Sequence, residues 1–282
     1  MPPTFDPAVS NNGMLIVWMA LAVAALLVAI VIATYTRDVL PVAACIGACI
    51  CSLNEPIFDL LAKLTYGQTP HVAFHAFGRA VPWTALVGYV PWVGLMPYLI
   101  SRLMAAKVSR GRLHAVAAGL FSSVVLIEIL NATWLHDWRY YGQPSWRGVL
   151  GGGIIQMAAM PLLAGLLLYV LGEGKSQSTR LLLGIVVPAI SLPMIFAGTT
   201  WPLYLSNYTA VPSWVAWAAA AVSVGLCVAA VPTITRLAEG WRLFVESQDA
   251  VRARRSGAGL SDSGDSAEDS GRLADSVASP ST

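Results

Sequence analysis

The chain has 282 residues, of which 56% are hydrophobic and only 11% charged, against roughly a quarter charged in an ordinary soluble domain. That composition excludes a soluble globule. A net charge of +2, from 17 Lys and Arg against 15 Asp and Glu, leaves no basic patch of the kind that binds nucleic acid, so no nucleic-acid partner is expected.

Apolar stretches lie at about 14–35, 39–64, 81–105, 113–135, 149–171, 181–205 and 211–237. Each is long enough to cross ~30 Å of hydrocarbon at ~1.5 Å per residue. The expected fold is all-α: a polytopic seven-transmembrane-helix bundle over residues 14–240, multi-pass in the cell membrane, with the lipid bilayer as its first partner. Residues 1–13 contain no Lys or Arg, which a signal peptide needs near its start. Helix 1 is therefore expected to be retained behind a short extracytoplasmic segment. Cytoplasmic loops collect Lys and Arg. An outside N-terminus puts Arg37, Arg102, Lys107, Arg110, Arg112, Lys175, Arg180, Arg236, Arg242, Arg252, Arg254, Arg255 and Arg272 inside and only Lys63, Arg79, Arg139 and Arg147 outside. The expectation is N-out/C-in. After Ala250 the composition turns to Ser, Gly, Asp and Ala, too poor in large apolar side chains to offset ordering entropy, so 250–282 reads as a disordered cytoplasmic tail.

An ionisable side chain at membrane depth normally faces the bundle interior or a wet cavity. Helix 2 carries Asn54-Glu55-Pro56-Ile57-Phe58-Asp59, and helix 4 carries Glu128-Ile129-Leu130-Asn131. Glu55 and Asp59, four apart, share a helical face. Glu55 lies ~13 Å and Glu128 ~10 Å below the outer ends of their helices, at a common depth. Two carboxyls on one face repel as anions, so one is expected to retain a proton and serve as a general acid. The competing reading is that these groups hydrogen-bond one another and fix helix packing. Pro56, which removes a helical hydrogen bond beside Glu55, favours a site.

Aromatics concentrate toward the same end: Trp83, Tyr89, Trp92, Trp134, Trp138, Tyr140, Tyr141, Trp146, Trp201, Tyr204, Tyr208, Trp214 and Trp217, against Trp18 and Trp241 assigned to the inner side. Interfacial belts account for many of them; a cavity walled by aromatics above the acids accounts for the one-sided excess. The loops around 66–79 and 136–147 are expected to fold over the outer mouth as a lid. Arg79, Arg139 and Arg147 are placed to pair with phosphate or with loop carboxylates. Cys45, Cys49, Cys51 and Cys227 read as small buried hydrophobes, and the i,i+4 pair His71 and His75 lacks the carboxylates of a metal motif, so no metal is expected. His114 stands alone, with no second intramembrane histidine for a haem. Gly151-Gly152-Gly153 has no following Lys-Ser/Thr and reads as close helix packing rather than a phosphate loop.

Seven helices with an outside N-terminus, an acid and a second acid on one face of helix 2, and aromatic outer loops together resemble the small integral-membrane terpene cyclases of the fungal meroterpenoid and actinobacterial indole-sesquiterpene types. The resemblance covers about residues 14–240. It implies a cofactor-independent enzyme that protonates an epoxide or alkene of a linear prenyl chain and so starts a cationic cyclisation, with a hydrophobic isoprenoid as ligand. Glu55 matches the family's helix-2 acid. The family's second acid sits in a later helix, whereas helices 6 and 7 here contain none before Glu239, so Asp59 or Glu128 would take its place. Asn54, Trp83, Trp92, Asn131, Trp134, Trp138, Tyr141 and Arg139 are the candidate substrate-binding residues, the aromatic faces offering cation–π attraction of roughly 0.5–2 kcal/mol each. Two other classes fit the same residues: a proton-coupled transporter using the carboxyls as a relay, and a seven-helix receptor or assembly protein. Retinal photochemistry is excluded because 211–237 has no Lys for a Schiff base.

Overall fold

The computed structural model describes residues 2–150 and 156–272, with side chains of 156–158 and of 254 onward left aside. The contacts divide the chain into two units, Met1–Ala238 and Glu239–Thr282. In the first, α1 (Asn11–Thr36) is followed by α2 (Leu40–Cys51), a 3-10 turn (Ser52–Asn54) and α3 (Glu55–Ala62). Next come strands β1 (Leu64–Tyr66), β2 (Val72–Ala76) and β3 (Arg79–Pro82), then α4 (Trp83–Tyr89), a π segment (Val90–Leu95) and α5 (Met96–Ala105). After α6 (Arg110–Leu130) and a second π segment (Asn131–Leu135) come β4 (Trp138–Tyr140), α7 (Ser145–Val149), α8 (Gln156–Gly172), α9 (Gln177–Tyr208) and α10 (Ser213–Arg272).

Among the described residues six helical stretches are long and apolar enough to cross a membrane: Asn11–Thr36, Leu40–Ala62, Trp83–Ala105, Arg110–Leu135, Gln177–Tyr208 and Ser213–Ala253. The seventh expected span, 149–171, corresponds to the shorter α8, and its Gly151-Gly152-Gly153 lies outside the described residues. Helix α10 runs past Ala250 to Arg272, and 273–282 are outside the described residues. In the second unit Trp241 and Phe244 stack with ring centroids 5.6 Å apart.

Small residues face inward and large ones outward, as expected where lipid rather than water is the surrounding solvent. In α1, Ala22, Ala25 and Ala29 are buried while Ile16, Leu21, Leu27 and Val31 are exposed. In α2, Ala43, Ala44, Gly47 and Ala48 are buried, Ala44 and Ala48 beside Gly94 of the first π segment and Ala43 and Gly47 against α9. The helices there approach so closely that a Cβ on Gly47 would lie 2.4 Å from the Ile185 carbonyl oxygen, and one on Gly184 2.5 Å from the Ala43 Cβ.

The helix ends divide into two sets. At one, Arg180 grips Asp38 through Nε and Nη2 at 2.9 and 2.5 Å and donates through Nη1 to the Gly172 carbonyl at 2.8 Å. Gln177 donates to the Arg37 carbonyl at 2.9 Å beside it. At the other, the segments expected to fold over the mouth as a lid form two small antiparallel sheets. One pairs Leu64 with Tyr140, Thr65 with Arg139 and Tyr66 with Trp138. The other is the β2–β3 hairpin, turned through Phe77 and Gly78, whose φ values are 51° and 70°. Strands β1 and β4 each follow a helix stopped by a left-handed residue, Lys63 at φ 53° and His136 at φ 50°. Those two stops turn the chain from the bundle axis into the sheet. Residues ahead of α1 strap across this end: Ala8 N–H donates to Leu135 at 3.0 Å, and Phe5 accepts from Gln68 at 2.8 Å.

Candidate functional site

Side chains alternate across a strand, so the β1–β4 register puts Leu64 and Tyr66 on the same face as Trp138 and Tyr140, with Thr65 and Arg139 on the other. All four of the first set line one cavity. It measures about 180 Å³, against the ~10–15 Å³ that one water needs, and so has room for an organic chain. Its walls are apolar, with Trp18, Phe58, Trp92 and Phe196 among them, and four carboxyls open into it: Glu55, Asp59, Glu128 and Asp137.

Each glutamate is held by two aromatic donors. Tyr66 donates to Glu55 Oε1 at 2.5 Å and Tyr89 to Glu55 Oε2. Tyr140 donates to Glu128 Oε1 at 3.1 Å and Trp138 Nε1 to Glu128 Oε2 at 3.3 Å. Glu55 opens α3, with Pro56 in the first turn where its missing N–H costs nothing. Glu128 closes α6 just before the π segment, and Tyr89 precedes the other π segment; such segments are common at functional sites. The aspartates are different. Asp59 is 2% exposed and Asp137 7% exposed, and neither carboxyl has a hydrogen bond among the described residues. Burial without a partner raises Asp137 from 3.8 to about 6. Burial, reinforced by nearby carboxyls, holds the Tyr66 and Tyr140 phenols well above their ordinary range, so both remain O–H donors.

Of the residues singled out in the sequence, Glu55, Asp59, Glu128, Trp92 and Trp138 converge on the cavity. The other six do not. Asn131 is buried beneath the loop, accepting from the Asp137 and Trp138 N–H groups at 2.8 and 3.2 Å and donating to the Trp138 carbonyl at 2.8 Å; it holds β4 in place. Asn54 turns back to the Cys51 carbonyl at 3.1 Å. Trp83 and Trp134 are 47% and 65% exposed, as interfacial aromatics are. Arg139, on the outer face of its strand, lies 4.3 Å over the Phe5 ring. Tyr141 serves Arg79, which donates to its hydroxyl at 2.5 Å and to the Leu64 carbonyl at 2.6 Å. The arginines expected to bridge loop carboxylates instead meet neutral oxygens and rings, Arg147 donating to Gln143 at 3.3 Å.

Trp18, assigned to the inner side from the sequence, lies two turns into α1 and lines the cavity. Tyr66, Tyr89, Tyr140 and Asp137 were visible only as an aromatic and polar excess; the signal that marks two of them, Tyr66 and Tyr140, is the period-2 alternation of Leu64-Thr65-Tyr66 and Trp138-Arg139-Tyr140. No group of three or more His, Cys, Asp or Glu able to hold a metal occurs among the described residues. His71 instead pairs with Asn12 at 2.6 Å, and His114 with Thr235 at 3.0 Å. The four cysteines are free, with Cys45, Cys51 and Cys227 buried and Cys49 exposed.

The fold and site together define a helical protein with membrane-length apolar helices and an acid-lined, aromatic cavity under a two-stranded roof. Comparison with protein-family models, with curated proteins and with solved structures finds no match.

Proposed function

We propose that the chain is a membrane-bound, cofactor-independent terpene or meroterpenoid cyclase acting on a linear prenyl chain dissolved in the bilayer. The observation that carries this reading is Glu55: a buried carboxyl held by two phenols in a cavity whose remaining wall is largely aromatic and aliphatic. In the reaction the Glu55 O–H bond breaks and its proton forms either a C–H bond with the electrons of an alkene π bond or an O–H bond on an epoxide whose ring C–O bond opens, leaving a carbocation and the Glu55 carboxylate. The Tyr66 and Tyr89 hydroxyls donate to that carboxylate, and hydrogen bonds to a charged acceptor are the stronger kind. Trp18, Phe58, Trp92, Trp138 and Phe196 shield the cation from water and offer ring faces to it. A second carboxylate, Glu128 or Asp59, takes a proton from the cyclised cation, so the product is an isomer of the substrate.

The reading includes a seventh span, made by α8 together with the residues ahead of it, and an N-terminus outside the cell membrane. It is supported by Arg37, Arg102, Lys107, Lys175 and Arg180, which gather at the end away from the sheets. A transmembrane proton relay is the weaker reading. The carboxyls of the first unit that face the cavity stop at one end, and Asp38 and Glu173 stand at the other. The test is mass spectrometry of lipid extracts from cells fed linear farnesylated and geranylgeranylated aromatics, with wild type, Glu55→Gln and empty vector. A species of unchanged mass and altered retention is expected with wild type alone. Equal product from Glu55→Gln would remove Glu55 as the acid.

A further inference from the structure

Asp137 is a buried acid of the cavity that the proposed reaction leaves unused. Its backbone is fixed from both sides, the N–H donating to Asn131 Oδ1 at 2.8 Å and the carbonyl accepting from Gly67 N–H at 2.7 Å. The residue lines the cavity, 7% exposed, and its carboxyl has no hydrogen bond among the described residues. The fully enclosed side-chain oxygens there that lack a partner are those of Thr84 and Asn207, so the equally unpartnered Asp137 oxygens keep open surface. Burial raises the group only to about 6, which leaves it ionised at neutral pH. A buried anion normally has a fixed cation beside it. The basic side chains of its own loop and of the segments paired with it are all engaged elsewhere. Lys63 donates to the Asn207 carbonyl and lies 4.8 Å over the Tyr208 ring. Arg79, Arg139 and Arg147 meet neutral oxygens or a ring, and His136, next in the chain, turns Nε2 to the Ala132 carbonyl at 3.1 Å. Among the described residues none of them forms an ion pair.

We propose that Asp137 is the counter-ion of a cation-binding site in this cavity, which takes the ammonium group of a lipophilic amine and lays its chain against Trp18, Trp92 and Trp138. The ligand class follows from what the site lacks. An unpartnered carboxylate offers only acceptors, and an ammonium offers only donors and the opposite charge. A hydrogen bond with both partners charged is the strong kind, and burial away from bulk water weakens it less than it would at the surface. The surrounding rings favour the same ligand, since an aromatic face attracts a cation and the hydrocarbon walls take its chain. A neutral alcohol of the same chain gains the walls but not the charge. The proposal stands on Asp137 and not on Glu55, so it does not rest on the cyclase reading.

The test is equilibrium dialysis of radiolabelled farnesylamine and farnesol, which share a chain and differ in the head group, against full-length protein in nanodiscs of zwitterionic lipid at neutral pH, with uptake by empty nanodiscs subtracted. Wild type is expected to hold the amine about tenfold more tightly than the alcohol, the scale of one hydrogen bond to a charged group. Asp137→Asn, which keeps the shape and removes the charge, is expected to abolish that preference and leave alcohol binding unchanged. Asp6→Asn, at an exposed acid of the strap on the same end, is expected to leave the preference intact. Equal binding of amine and alcohol by wild type would overturn the proposal, and that comparison needs no variant to fold. A preference that survives in Asp137→Asn, or one lost equally in Asp6→Asn, would overturn it too, the latter because the attraction would then belong to the surface. Asp137-dependent amine binding in a protein that cyclises no chain would overturn the cyclase reading and leave this site standing; cyclisation without any amine preference would do the reverse.

Discussion

Asp137 offers a quantitative check on the cavity that is independent of any substrate. Its carboxyl is 7% exposed, has no hydrogen bond among the described residues, and is raised by burial from 3.8 to about 6. A tenfold change in proton affinity is about 1.4 kcal/mol, so folding over an ionised Asp137 costs about 3 kcal/mol. The sign follows from a raised folded-state value. Below about pH 4 the group is neutral in both states and nothing is lost; between about pH 4 and pH 6 the unfolded chain gains by ionising while the folded one does not, and above about pH 6 both are ionised and the difference stays constant. Asp137→Asn keeps the shape and removes the titration. Its stability relative to wild type is therefore expected to climb between about pH 4 and pH 6 by about 3 kcal/mol and then level off. For a unit of this size that is roughly 6–12 °C in Tm, measured by thermal unfolding in detergent from pH 4 to pH 8. The other carboxyls are common to both proteins and cancel in the difference. Parallel Tm curves for the two proteins across that range would refute the reasoning, because they would mean that Asp137 is solvated or paired.

The close approach of α2 and α9 predicts that Gly47→Ala costs about 1–3 kcal/mol, since its Cβ would meet backbone oxygen 2.4 Å away. Gly198→Ala in α9, with nothing within 4 Å of its Cβ, is the matched control and should leave the melting temperature unchanged or slightly higher. Gly148→Ala should act on the site itself. Its Cβ would fall 2.4 Å from Tyr140 Cγ, displacing the ring that donates to Glu128, so near-ultraviolet circular dichroism should change and product formation fall to the level of Tyr140→Phe.

What the sequence discloses depends on whether local pattern decides it. Hydropathy is a local property, and the apolar spans emerge wherever long helices are described; the helix-2 acids share a face because spacing alone requires it. Which residues meet across the bundle is not local. Glu55 and Glu128 are 73 positions apart, and they reach one cavity because two three-residue strands happen to pair in the register that sets Tyr66 opposite Trp138. Asn131 illustrates the limit from the other direction. A buried amide three residues from Glu128 reads as part of a site, yet its oxygen accepts from the Asp137 and Trp138 N–H groups and its nitrogen donates to the Trp138 carbonyl, so it fixes the backbone there. Trp83 and Trp134 read as walls, but helical phase turns them outward. The strands were hidden because runs of three are too short for a period-2 pattern to stand out from the surrounding aromatics.

A two-stranded sheet of three residue pairs is marginal by itself in water, and the roof must borrow its stability. Lys63 and His136 end the preceding helices in left-handed turns, so both strands start at fixed points on the bundle. Pairing extends beyond the three registered residues through Gly67 N–H to the Asp137 carbonyl at 2.7 Å and Tyr141 N–H to the Lys63 carbonyl at 2.8 Å. Gln143 then donates to the Ala62 carbonyl at 2.8 Å, satisfying a group the end of α3 would otherwise leave open. The inward face is paid for by burial of Leu64, Tyr66, Trp138 and Tyr140, three of which are also the donors to the two glutamates. Roof and acids are thus one structure: anything that lifts the sheet strips Glu55 and Glu128 of donors at the same time as it admits water. Chemistry that needs a positioned acid in a dry cavity is compatible with this arrangement only while the roof is down.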